Sequence, residues 1–291
     1  MNVKCVFESK DILGEGPVWS VDEQALYWLD INRALLQRFN PKTNRYDTWK
    51  MPSEIGSFAL RESGGAVIAL RTGFAFFDFE NGAIEPIFDP EAHLPGNRFN
   101  DGKCDRRGRF WAGTLSETED APVAALYRLD ANGNCHTMRT GVFVSNGLGW
   151  SPDNKIMYYT DSPTHNIYAY DFDLASGTHS NERVFVHDED GFPDGLTVDS
   201  EGYVWSAKWD GWKVVRYAPD GSVDRVVNMP VQCPTSCMFG GPDLRQLYIT
   251  SASIDLSPEE LLRQPLAGNV FVIETDVAGL PEPKYHSINN E

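Results

Sequence analysis

The chain has 291 residues, with 42 acidic and 25 basic side chains and a formal net charge of −17. So large an acidic excess repels nucleic acid and anionic membrane, which leaves neutral or cationic small molecules, or a metal ion, as partners. Hydrophobic residues make up 41 % of the chain, with 8 Trp, 11 Tyr and 16 Phe, enough to build a core and to exclude intrinsic disorder.

Along the chain one pattern recurs: a polar turn, a short apolar-aromatic run, then a second run that ends in another turn. The first unit carries Ala25-Leu26-Tyr27-Trp28, then Leu36 to Asn40, then the turn Pro41-Lys42-Thr43-Asn44. The second carries Ala66-Val67-Ile68 and Phe74 to Asp78 before Glu80-Asn81-Gly82, and the third Arg109-Phe110-Trp111 and Ala125 to Asp130 before Ala131-Asn132-Gly133. The fourth has Ile156-Met157-Tyr158 and Asn166 to Asp171 before Ala175-Ser176-Gly177. The fifth has Tyr203-Val204-Trp205 and Val214 to Tyr217 before Pro219-Asp220-Gly221, and the sixth Gln246-Leu247-Tyr248 and Val270 to Ile273. From Trp28 through Ile68, Trp111, Tyr158 and Trp205 to Tyr248 the steps are 40, 43, 47, 47 and 43 residues. Each unit supplies about four short strands rich in β-branched and aromatic residues between turn formers. Six units at this period predict an all-β fold, a six-bladed β-propeller of four-stranded antiparallel blades around a central channel, with residues 1–291 as one domain. The helical signal is nearly confined to Ser257-Pro258-Glu259-Glu260-Leu261-Leu262-Arg263, where Ser257 and Glu260 form a capping box and Pro258 suits the first helical position. It reads as an insertion in the last blade.

Ahead of each unit lies a candidate inner strand facing the channel. Three share one register: Glu15-Gly16-Pro17-Val18, Asn146-Gly147-Leu148-Gly149 and Asp194-Gly195-Leu196-Thr197. Each opens with an oxygen-bearing side chain followed by Gly. Asn100-Asp101-Gly102 matches within one position, whereas the inner strands around Ser57 and Thr235 offer no strong ligand. If the blades are equivalent, Glu15, Asn146, Asp194 and Asn100 or Asp101 meet at one mouth of the channel. Carboxylates and carboxamides converging there suit a divalent cation. The competing reading is local, since Asn-Gly and Asp-Gly pairs are also the commonest turn formers.

Other chemistries fare worse. The six His have no zinc-protease spacing, and Cys233 and Cys237 lack a second pair, so buried apolar packing suits them better than metal or redox work. Five Cys do not suit a disulfide framework, no stretch reaches the ~20 apolar residues needed to cross a bilayer, and Glu8, Lys10 and Asp11 interrupt the N-terminus too early for a signal peptide. A cytoplasmic monomer or weak oligomer is expected. A serine-hydrolase elbow, a phosphate loop and a dinucleotide fingerprint are all missing.

The chain resembles the senescence-marker-protein, regucalcin and gluconolactonase family of six-bladed propellers. The resemblance rests on Gly14 to Trp19, Asn97 to Lys103, Ser145 to Leu148, Pro193 to Leu196 and Leu262 to Gly268, in order across nearly the whole chain. It implies a hydrolase that opens sugar lactones such as glucono-, xylono- or arabinonolactone with one divalent metal ion: Ca²⁺, Zn²⁺, Mn²⁺, Mg²⁺ or Fe²⁺. It implies Glu15, Asn146 and Asp194 as metal ligands, Asp194 also as general base, and Arg98, Asn100 and Asp101 as substrate contacts. In some relatives an acidic residue after Ala-Gly-Thr touches substrate. Here an ungapped match from Ala112-Gly113-Thr114 puts Thr118 in that place, with Glu117 or Glu119 as substitutes if the loop is shifted. The rival readings are a metal-dependent phosphotriesterase or arylesterase on the same scaffold, and a calcium-binding propeller without enzymatic activity. A surface ion pair of Arg98 with Asp101 or Asp105 is the structural alternative for that arginine.

Overall fold

The computed structural model describes residues 2–287. After β1 (Lys4–Phe7), the chain forms blade one from β2 (Gly14–Ser20), β3 (Ala25–Asp30), β4 (Leu35–Asn40) and β5 (Arg45–Lys50). Blade two is β6 (Ile55–Leu60), β7 (Ala66–Leu70), β8 (Gly73–Phe77) and β9 (Ile84–Phe88). Blade three is β10 (Asn97–Cys104), β11 (Phe110–Ser116), β12 (Ala124–Leu129) and β13 (Cys135–Val142). Blade four is β14 (Ser145–Trp150), β15 (Ile156–Asp161), β16 (Asn166–Asp173) and β17 (Thr178–His187), and blade five is β18 (Phe192–Val198), β19 (Val204–Trp209), β20 (Lys213–Tyr217) and β21 (Val223–Asn228). Blade six is β22 (Pro234–Gly240), β23 (Gln246–Ser251) and β24 (Val270–Glu274), with β1 pairing antiparallel to β24 as its outer strand. The result is the expected six-bladed β-propeller, and the N-terminal strand closes the ring. The inserted helix α1 (Pro258–Arg263) carries the expected capping box of Ser257 and Glu260. No helix among the described residues is long and apolar enough to cross a membrane.

The apolar runs are the second strands of the blades. β3, β7 and β11 are buried along their whole length, whereas the outer strands β5, β13 and β17 are largely exposed. A second strand is covered on both faces by neighbouring blades, so it is apolar throughout rather than alternating. The paired aromatics pack between blades, Trp111 against Trp150 at 5.9 Å and Trp205 against Phe239 at 5.9 Å between ring centres. Cys233 and Cys237 are both buried free thiols.

Three of the second-strand tryptophans have a polar anchor, and in blade one Trp28 Nε1 donates to the buried Asp11 (2.8 Å). In blade three, Asp105 is fully buried and accepts hydrogen bonds from Trp111 Nε1 (3.0 Å) and Arg109 Nε (2.6 Å). Blade five repeats this with Asp199, Trp205 (2.9 Å) and Arg216 (2.9 Å). Removing one member of a buried charge pair strands the other, which costs about 3–5 kcal/mol. Asp105→Ala is therefore expected to lose stability on that scale, read as a fall in the urea unfolding midpoint with an unchanged m-value.

Residues 278–287 cross the rear end of the channel. Ser200 donates its backbone N–H to Ala278 O, Tyr285 is fully buried and donates Oη to Asp130 O (2.7 Å), and His286 N bonds Gly108 O. This strap ties blades two, three and five together on the face opposite the cavity described next.

Candidate active site

Every inner strand breaks register at the same level. The shifts fall between Glu15 and Val18, Ile55 and Ser57, Phe99 and Gly102, Asn146 and Leu148, Pro193 and Leu196, and Pro234 and Cys237. A bulge bends a strand and re-aims its side chains. Here six bulges form a ring at one mouth of the channel, and Glu15, Asn146 and Asp194 stand on it. Asn146-Gly147 and Asp194-Gly195 are thus strand residues and not turns. Their glycines are needed for close approach: a Cβ on Gly147 would stand 2.6 Å from Asp194 O, and one on Gly195 would stand 2.1 Å from Ser236 Oγ.

A cavity of about 470 Å³ opens from this ring. Glu15, Asn146, Asp194, Arg98 and Asn100 all line it. Glu15, Asn100, Asn146 and Asp194 are each less than 8 % exposed. A hydrogen-bonded chain holds them. Arg98 Nη1 donates to Asn100 Oδ1 (3.1 Å), and Asn100 Nδ2 donates to Asn146 Oδ1 (3.0 Å) and Ser145 O (2.9 Å). Asn146 Nδ2 donates to Ser162 Oγ (2.8 Å), which donates to Pro193 O (2.6 Å), next to Asp194. Both N–H donors of Asn100 are used within the protein, so toward a ligand this side chain can only accept, and its clearer role is to orient Asn146. The surface pairing considered for Arg98 does not occur, because Asp105 is buried with Arg109 and Arg98 bonds Phe99 O and Asn100.

Two expected substrate contacts lie elsewhere. Asp101 faces a separate cavity of about 290 Å³ toward the rear, with Lys103, Ser236 and Glu282. Asn100 and Asp101 both lie in the bulge between Phe99 and Gly102, where their side chains part, Asn100 to the front cavity and Asp101 to the rear one. Thr118 is exposed and does not line the front cavity; its hydroxyl is turned to Ser116 Oγ (3.0 Å) and donates to Asp120 Oδ1 (2.7 Å). Glu117 and Glu119 line it instead.

The remaining walls were not foreseen. Glu54, Asn32, Ser162, Trp209, Phe192 and Asp255 complete most of the lining. Arg71 pairs with Glu54 (3.0 Å) and with Glu117, fixing two rim carboxylates. Behind the ring, Lys208 pairs with Asp188 (3.3 Å), and burial pushes its ammonium down to about 8.

The electrostatics centre on the carboxylates. Burial first, then the charge of Asp101, raises Glu15 above the ordinary carboxylate range. Burial, then Glu15, then Asp101, raises Asp194 well above it. Asp194 Oδ1 is buried with no hydrogen-bond partner among the described residues. An orphaned oxygen and a second buried carboxylate are what a cation would relieve. The donor chemistry fits a hard divalent ion: two carboxylates, plus an Asn146 oxygen that has spent only one lone pair on Asn100. Among the described residues no three His, Cys, Asp or Glu side chains gather closely enough to hold an ion by themselves, so an ion here would need the carboxamide as a third ligand.

Residues 13–253 match the SMP-30/Gluconolactonase/LRE-like region. The chain belongs to this family. Within the SMP-30/gluconolactonase group it is 43 % identical over 285 residues to a 6-deoxy-6-sulfogluconolactonase of Pseudomonas putida, covering 97 % of this chain and 98 % of that one. It is 38 % identical to a regucalcin of Danio rerio, covering 98 % of each. Among solved structures, a calcium-binding protein, regucalcin, of Agrobacterium tumefaciens superposes with a TM-score of 0.94 at 26 % identity, covering 98 % of this chain and 97 % of that one.

Proposed function

We propose that this member of the SMP-30/gluconolactonase family hydrolyses a sugar lactone, a glucono-, xylono- or arabinonolactone, with one divalent cation held by Glu15, Asn146 and Asp194. The observation that carries the reading is the unpartnered Asp194 Oδ1, buried beside Glu15 at the floor of a cavity that also presents Arg98. The relatives named for lactonase activity and for calcium support it.

When bound, the cation supplies relief of the carboxylate repulsion, polarisation of the lactone carbonyl and a lowered pKa for water. The protein's residues do the rest. The Asp194 carboxylate receives a proton from the water as the water oxygen bonds to the carbonyl carbon. The ring C–O bond then breaks, and the same proton passes to the departing oxygen, leaving a hydroxyl and a carboxylic acid. Arg98 keeps N–H groups without a partner among the described residues, and its fixed fork suits two adjacent sugar oxygens. Asn100 and Ser162 keep Asn146 turned toward the floor. Trp209 and Phe192 offer apolar faces to the C–H side of the sugar ring.

The test is turnover of an aldonolactone panel beside a paraoxon-type phosphotriester, each with added divalent ion and followed by proton release. Lactone turnover far above triester turnover is expected. Triester turnover exceeding that of every lactone overturns the reading.

A further inference from the structure

Six carboxylates line the front cavity against a single arginine: Glu15, Glu54, Glu117, Glu119, Asp194 and Asp255 against Arg98. They divide by depth. Glu15 and Asp194 form the buried floor, whereas Glu117, Glu119 and Asp255 are exposed at the rim. A divalent ion on the floor offsets the two deep charges. Arg71 lies between Glu54 and Glu117 and offsets one of that pair. Glu119 and Asp255 make no ion pair and no side-chain hydrogen bond among the described residues. Glu119 nevertheless senses its neighbours: burial first, with a further push from Asp255, raises its carboxyl, and the Arg98 charge works the other way. With the floor neutralised, the mouth keeps about two uncompensated negative charges.

This bears on substrate choice, given the lactonase reading above. The ester carbonyl of a lactone must reach the floor, where the unpartnered Asp194 Oδ1 lies, so the far end of the sugar points to the rim. We propose that the rim carboxylates Glu119 and Asp255 are charge-specificity residues that select lactones with an uncharged distal carbon over lactones carrying a sulfonate or carboxylate there. The 43 % identical relative is named for a 6-deoxy-6-sulfogluconolactone, so the inference separates this chain from it. A sulfo group is anionic at neutral pH, and the cavity offers it one arginine, whose charge already faces Glu119, Glu54 and Glu117. The reaction itself adds a consequence. A neutral ester and water become a carboxylate and a proton, so the product carries a charge that the substrate lacked, and the same rim weakens its binding.

The experiment compares kcat/KM for gluconolactone with that for its 6-sulfonated counterpart, in the wild type, Glu119→Gln and Asp255→Asn, at low and high NaCl. One partly screened charge across a solvated cavity mouth is worth about fivefold. The wild type is expected to prefer the neutral lactone by at least about tenfold. Each substitution is expected to shrink that ratio by about fivefold, as is a rise to ~0.5 M salt. Gluconate inhibition is expected to tighten in both variants. Equal or faster turnover of the sulfonated lactone by the wild type overturns the inference, as does a ratio that ignores both substitutions and salt. Turnover of neither lactone with divalent ion present fails the lactonase reading itself, and the inference with it.

Discussion

Asp194→Asn is expected to lower kcat/KM for gluconolactone by about 10⁴-fold, while thermal unfolding shows a native transition. Acid–base catalysis by one positioned group contributes typically 10²–10⁴-fold, and this side chain is also placed to hold the cation, so the upper end applies. Asparagine keeps the volume and one oxygen, which leaves the bulge between Pro193 and Leu196 and the contact of Gly195 with Ser236 undisturbed. It removes a carboxylate that is buried, repelled by Glu15 and raised in proton affinity. Because that repulsion weakens the ion-free fold, the variant is expected to be at least as stable as the wild type without divalent ion. A variant that loses activity through unfolding would show the opposite, a lowered melting temperature.

The second large effect concerns the cation. Chelation followed by gel filtration is expected to reduce lactone turnover by at least about 10³-fold, a rate loss of roughly 4 kcal/mol in barrier height, and return of one equivalent of a suitable divalent ion is expected to restore it. Protein stability should report the same ion. In the ion-free protein Glu15 and Asp194 hold protons to higher pH than they do in the unfolded chain. The native state then binds more protons than the unfolded state, so stability falls as pH rises above the ordinary carboxylate values near 4. A divalent ion displaces those protons and reverses the trend. The rise in melting temperature on adding ion is therefore expected to be larger at pH 8 than at pH 5, by differential scanning fluorimetry.

Much of the architecture was legible because a propeller writes its period into the chain. The aromatic steps from Trp28 to Tyr248 are the second strands, buried on both faces, and burial forces them to be apolar. The role of β1 was not legible, since Lys4–Phe7 carries no mark that it pairs with a strand some 265 residues later. At the site, one shared register of oxygen-bearing residues before Gly placed Glu15, Asn146 and Asp194 on the same ring of bulges. The slip came in blade three, where the bulge holds Asn100 and Asp101 in the places that Asp194 and Gly195 take in blade five, so the residue before a Gly stands one place too late. The residue before Gly102 is Asp101, which points to the rear, while its neighbour Asn100 points to the front.

Apart from Glu117 and Glu119, offered as substitutes for Thr118, the rim was missed for a topological reason. An antiparallel second strand ends at the mouth where its inner strand begins, so the residues that follow the second strands also face the cavity. Asn32 follows β3, Glu117 and Glu119 follow β11, Ser162 follows β15, Trp209 ends β19 and Asp255 follows β23. These positions vary in type from blade to blade and form no repeat, so only the three-dimensional arrangement gathers them. Thr118 illustrates the limit of counting along such a loop. Glu119 there adopts a positive φ of 50°, which turns the backbone so that Glu117 and Glu119, and not Thr118, reach the cavity.

The central claim is that Glu15, Asn146 and Asp194 share one divalent cation that serves lactone hydrolysis. Anomalous diffraction from crystals grown with Mn²⁺ tests it most directly. One strong anomalous peak within coordination distance of Glu15, Asn146 and Asp194, lost in Asp194→Asn, is the predicted result. A peak held by other residues, or none at the trio in crystals of protein that turns over lactone with Mn²⁺, would contradict it.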